Sequence, residues 1–108
     1  MTMQNKSKLS EIMKLAWQFI KRNGYSLRDA LRCAWANIRL KAKMLNGIVR
    51  FYFTKVDGTV REAFGTLNNR IMPTAEGENK RKHNDTIQVY YDTERMEYRS
   101  FKKANLKF

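Results

Sequence analysis

At Asn46-Gly47 the spacing of apolar residues changes from that of a helix to that of a strand, and this boundary restricts the chain to an α-then-β arrangement. Upstream, Leu9, Ile12, Met13, Ala16, Phe19 and Ile20 fall within about 120° of arc when stepped at 100° per residue, which predicts a core-facing helix over 8–22. Asn23 and Gly24 stop it, the glycine suiting a left-handed cap. Ser26 then offers a hydroxyl to the next helix start, with Asp29 at its positive end. That second helix is expected from Leu27 to Met44, its stripe being Leu27, Ala30, Leu31, Ala34, Ile38 and Leu45. A short link, Asn23 to Ser26, makes the two helices neighbours, and the spacing leaves their crossing angle open.

Downstream of Gly47 the period is two. Ile48, Val49, Phe51 and Phe53 read as a strand, Asp57-Gly58 as its turn, and Val60 to Leu67 as the return. A loop of two residues, or of four with a bulge at Gly58, fits equally; the two-residue form sets Phe51 opposite Phe64. Residues 68–85 lose periodicity and hold the single proline, Pro73, so a long loop is expected there. A second hairpin follows, with Ile87, Val89 and Tyr91 on one side, a turn at Asp92 to Arg95, and a return from Met96 to Phe101. Leu106 to Phe108 could close the sheet. Four or five strands cannot bury both faces of an open sheet this small, so a curled barrel with the helices over one end is expected. The fold class is α+β: one domain over 1–108, a helical hairpin at 8–46 followed by a small antiparallel barrel of about five strands at 48–106.

The order and spacing of Val49–Arg61 (VRFYFTKVDGTVR), Gly65-Thr66-Leu67, Val89-Tyr90-Tyr91-Asp92 and Tyr98-Arg99-Ser100-Phe101 with Leu106 resemble the WYL-like, Sm-like small β-barrel family of Bacteroides-group bacteria and their phages. The resemblance covers roughly residues 48–106. It implies a five-stranded barrel of Sm topology and an origin in a phage or mobile element, and it carries little about function. Tyr98 stands where members often have a larger ring. The helical hairpin lies outside the resemblance.

Charge narrows the function. The chain has 22 Lys and Arg against 10 Asp and Glu, a net +12, which favours anionic partners. The excess is uneven: residues 1–47 carry ten cations and two acids, and residues 48–108 carry twelve and eight. On the second helix Arg28, Arg32, Arg39 and Lys43 fall within a wedge of about 60°, beside Trp35. Like charges so spaced repel by a few tenths of a kcal/mol per close pair, roughly, and an external anion would offset that. Arginine suits bidentate contact with phosphate. Lys80, Arg81 and Lys82 form a second candidate patch. Tyr52, Tyr90, Tyr91 and Tyr98 could stack on bases if exposed, and one or two are expected to be.

Catalysis finds little support. His83 is alone in a polar loop, Cys33 has no histidine near it in sequence, and Asp92, Glu94 and Glu97 are ordinary turn acids. The expectation is a cytoplasmic, non-enzymatic DNA- or RNA-binding accessory protein with no cofactor, metal or membrane span. The alternative is a phage-type module that engages an acidic host protein or defence complex through the same basic face. Oligomeric state is left open.

Overall fold

A computed structural model describes residues 3–71 and 86–108, with side chains from Leu9 onward. Its elements are α1 (Met3–Asn23), α2 (Leu27–Asn46), β1 (Val49–Thr54), β2 (Val60–Thr66), β3 (Ile87–Asp92), β4 (Glu97–Lys102) and a 3₁₀ turn (Lys103–Asn105). Both helix boundaries follow from local chemistry. Gly24 takes φ +71°, and Ser26 accepts a hydrogen bond from the Asp29 amide at 3.2 Å.

The buried faces of the helices are rotated from the expected stripes. Leu9, Met13, Leu27 and Leu45 are exposed, whereas Ile12, Leu15, Ala16 and Phe19 of α1 pack against Ala30, Cys33 and Ala34 of α2. The reason is size: a seam of alanines and one cysteine lets the two helices approach closely, and the larger side chains then flank it. Further along α2 the buried residues are Asn37, Leu40 and Met44. Asn37 Nδ2 donates to the carbonyls of Cys33 and Lys103, both at 2.9 Å, tying α2 to the 3₁₀ turn. Leu40 and Met44 join a second cluster with Phe51, Phe53, Ala63, Tyr90, Phe101 and Leu106. The helix therefore serves two partners, α1 with its first half and the sheet with its second.

Cys33 lies within the helix seam, fully buried, and burial pushes its thiol up to about 12. The folded protein should therefore resist iodoacetamide at pH 8.5 and react once unfolded in denaturant. Because the thiol stays neutral in the fold well above its unfolded value near 9, its contribution to stability is complete below that pH and declines as pH rises from about 9 toward 12. Cys33→Ala should flatten that alkaline decline.

The sheet is antiparallel in the order β1-β2-β3-β4. In the first hairpin Phe51 faces Ala63 and Arg50 faces Phe64, one residue away from the two-residue register. Gly58 causes the shift. At φ +92° it donates its amide to Lys55 O at 2.9 Å, and Lys55 in turn pairs with Thr59, giving three loop residues and a bulge. In the second hairpin Tyr90, not the Val89 side, supplies the core: Tyr90 is 0% exposed and Val89 38%. Pairing between β2 and β3 is limited to Gly65↔Asp92 and Thr66↔Tyr91, so the two hairpins diverge from that junction. Of the expected fifth strand the described residues show one antiparallel bridge, Phe53↔Leu106, with the Lys107 amide donating to Tyr52 O at 2.9 Å.

Thr66 fixes the helix to the sheet. Fully buried, its hydroxyl lies 3.1 Å from Met44 O and 2.8 Å from Gly47 O, while the Leu67 amide donates to Met44 O at 2.9 Å. These bonds occupy carbonyls that the end of a helix leaves open.

Candidate nucleic-acid interface

Once Thr66 has seated the second half of α2 on the sheet, β1 runs beside it, and strand alternation decides what β1 offers there. Phe51 and Phe53 point into the core, so Arg50 and Tyr52 point out. The facing residues of α2 are Arg32, Trp35, Arg39 and Lys43, all exposed. Lys107 and Phe108, held against β1 by the Leu106 bridge, complete a groove of about 540 Å³.

Four of the five expected residues on α2 line this groove. Arg28 does not: it sits in the first turn of α2, where the helix faces α1. Lys80, Arg81 and Lys82 lie outside the described residues, as does His83. Arg50, Lys107 and Phe108 are groove residues that the sequence reading missed. For Arg50 a signal existed, since it alternates with the buried phenylalanines of its strand. For Lys107 and Phe108 the expected tail strand was a signal, but its docking beside α2 depends on one long-range bridge.

The electrostatics are one-sided. Among the described residues, the side chains of Arg28, Arg32, Arg39 and Lys43 make no ion pair and no hydrogen bond. The carboxylates that do pair act elsewhere: Asp57 with Lys55 at the hairpin turn, Asp92 with Arg61 and Arg99, and Glu97 with Arg99. Among the described residues, Glu62 is the paired carboxylate at the groove's edge. It accepts from the Tyr52 hydroxyl at 2.8 Å and lies 3.9 Å from Arg50, and the hydrogen bond raises the Tyr52 pKa. Tyr52 is thereby held with its ring on the surface, 39% exposed, and Trp35 is 40% exposed. Tyr98 is exposed as well, whereas Tyr90 and Tyr91 are buried.

The arrangement sets cations beside accessible aromatic faces over the stretch from Arg32 to Lys43, roughly 16 Å of helix axis. A second basic and aromatic face lies on α1, where Lys14, Lys21 and Arg22 surround Trp17, itself 51% exposed. The helical spacing of Lys14, Trp17, Gln18 and Lys21 is the sequence signal of that face. Among the described residues no group of His, Cys, Asp and Glu could hold a metal ion, and no helix is long and apolar enough to cross a membrane.

A family model described as WYL_2, Sm-like SH3 beta-barrel fold, matches residues 37–107, from the middle of α2 through the Leu106 bridge. No curated protein and no solved structure gives a significant match.

Proposed function

We propose, from the premise that this chain belongs to the WYL_2 family of Sm-like SH3 β-barrel fold, that it is a non-catalytic protein that binds single-stranded nucleic acid along the α2–β1 groove. The observation that carries this reading is the pairing of unneutralised Arg32, Arg39 and Lys43 with the exposed rings of Trp35 and Tyr52 in one groove. Cations track phosphates, and rings stack on bases whose faces are free. A duplex keeps its base faces stacked and would leave the rings without a role. In this reading the Leu106–Lys107 segment acts as a short fifth strand that closes the sheet onto β1 and forms one lip of the groove. Arginine at two of the α2 positions favours bidentate phosphate contact. Phosphate contact alone reads no sequence, so broad recognition is expected.

The test is a titration of labelled single-stranded DNA, single-stranded RNA and duplex DNA at two or more salt concentrations. Single strands should bind more tightly than duplex. Three to five phosphates contacted should give a slope of log affinity against log salt of about −2 to −3.5. Trp35 fluorescence should be quenched on binding. Absence of binding at low salt, or a preference for duplex over both single strands, would refute the reading. Equal affinity for an acidic polypeptide such as poly-glutamate would transfer the groove to an acidic protein partner.

A further inference from the structure

A second concavity, about 660 Å³, opens between the β1–β2 turn and the strands β3 and β4, where the two hairpins have diverged. Its walls combine two features not found together in the groove. One is apolar: Phe53 and Phe101 stack at 5.3 Å with 21° between their planes. The other is a set of hydrogen-bond donors with too few acceptors.

The shortage is visible in the bonding around Asp92, which is 2% exposed. Its Oδ1 accepts from the amides of Glu94 and Arg95 at 3.0 and 3.1 Å. Its Oδ2 faces both Arg61 Nη2 at 3.9 Å and Arg99 Nε at 4.0 Å, distances too long for hydrogen bonds. Arg99 finds another acceptor, donating twice to Glu97 Oε1 at 2.9 and 2.6 Å. Among the described residues Arg61 does not: its Nε–H is buried without a partner there, and the hydroxyl of Tyr90, a side chain 0% exposed, is likewise unpartnered. Both residues line the concavity. A buried donor without an acceptor is destabilising, so two in one cavity wall favour an acceptor that can reach them. Burial raises the Tyr90 pKa, so the phenol keeps its proton and remains a donor. At the rim Lys55 is offset by the Asp57 carboxylate 4.0 Å away, which leaves Lys102 as the added positive charge.

We propose that this cleft is a second binding site, separate from the α2–β1 groove, for a small ligand with an oxyanion, phosphate or carboxylate, on an aromatic or apolar body. The oxyanion meets the Arg61 side chain, which is 17% exposed, and reaches the Tyr90 hydroxyl, closed to solvent as the side chains stand, once Arg61 turns toward the ligand; the body lies against Phe53 and Phe101. The volume suits a compact ligand of this kind.

Titration of the full chain with phenyl phosphate, benzoate, inorganic phosphate and benzyl alcohol, followed by NMR and calorimetry, tests this. Phenyl phosphate or benzoate should bind saturably, with neutral benzyl alcohol weaker by about tenfold or more, a difference in keeping with a charge-assisted contact. Whichever oxyanion binds more tightly identifies the headgroup. Arg61→Gln should weaken binding by about tenfold or more. Tyr90→Phe removes only an unpartnered hydroxyl, so it should leave the melting midpoint unchanged or raised while weakening binding severalfold. That variant keeps the test decisive even if Arg61→Gln fails to fold. Arg32→Glu with Arg39→Glu should leave cleft binding intact, which separates failure here from failure of the groove reading. No saturable binding by either aryl oxyanion, or unchanged affinity in Tyr90→Phe, would overturn the proposal.

Discussion

Replacing Arg32 and Arg39 together by Glu should lower the affinity for a single-stranded oligonucleotide by about a hundredfold or more in dilute buffer, and reduce the magnitude of the salt slope by about 1.4, the value for two lost phosphates at 0.7 each. Each reversal changes the local charge by two, in a groove whose cations, among the described residues, pair with no carboxylate except Glu62 near Arg50. The Debye length is about 10 Å at 0.1 M salt, so the loss should shrink as salt rises. Stability should move the other way. Neither side chain has a partner among the described residues, and Arg39→Glu converts the repulsive spacing with Lys43 into a Glu-to-Lys pair four residues apart, worth about 0.2–0.5 kcal/mol. A variant that melts no earlier yet binds far more weakly would separate an interface role from a structural one. Unchanged affinity with an unchanged slope would remove α2 from the interface.

The elements of the fold were legible because each has a local cause. The change of period at Gly47, the cap at Ser26 and the stop at Gly24 all act within a few residues. The errors arose where a tertiary contact chose among local options. An apolar arc of about 120° on α1 has room for several orientations, and the choice fell to the alanines that allow α2 closest. The hairpin register depended on whether Gly58 formed a bulge, which a single odd loop residue decides. Of the groove, the α2 half was readable from helical spacing alone. The β1 half was readable as an alternation but could not be joined to α2, because the joint rests on Thr66 and Met44, which are 22 residues apart. The Arg61–Asp92 cluster is hidden for the same reason: only the short junction at Gly65 and Thr66 brings β2 to β3.

That junction also sets where the sheet is most vulnerable. Phe51→Ala should cost about 3–5 kcal/mol, the range for removing a buried aromatic ring. This is a large share of the 5–15 kcal/mol typical of a domain. Phe51 is 6% exposed, and its ring lies 5.1 Å from Tyr90, 5.3 Å from Phe101 and 6.1 Å from Phe53, so three rings lose contacts at once. Gly65 makes the packing tighter still. A Cβ there would come within 2.6 Å of Tyr90 Cδ2 and 3.0 Å of Phe51 Cε1, so Gly65→Ala should cost about 1–3 kcal/mol by overpacking. The two changes share one space: truncating Phe51 relieves one of the contacts the new methyl would make. The double variant should therefore be more stable than the summed single costs imply, by about 0.5 kcal/mol or more in urea denaturation. Strict additivity would mean that Tyr90 alone enforces glycine at this position and that the Phe51 ring does not press on the β2–β3 junction.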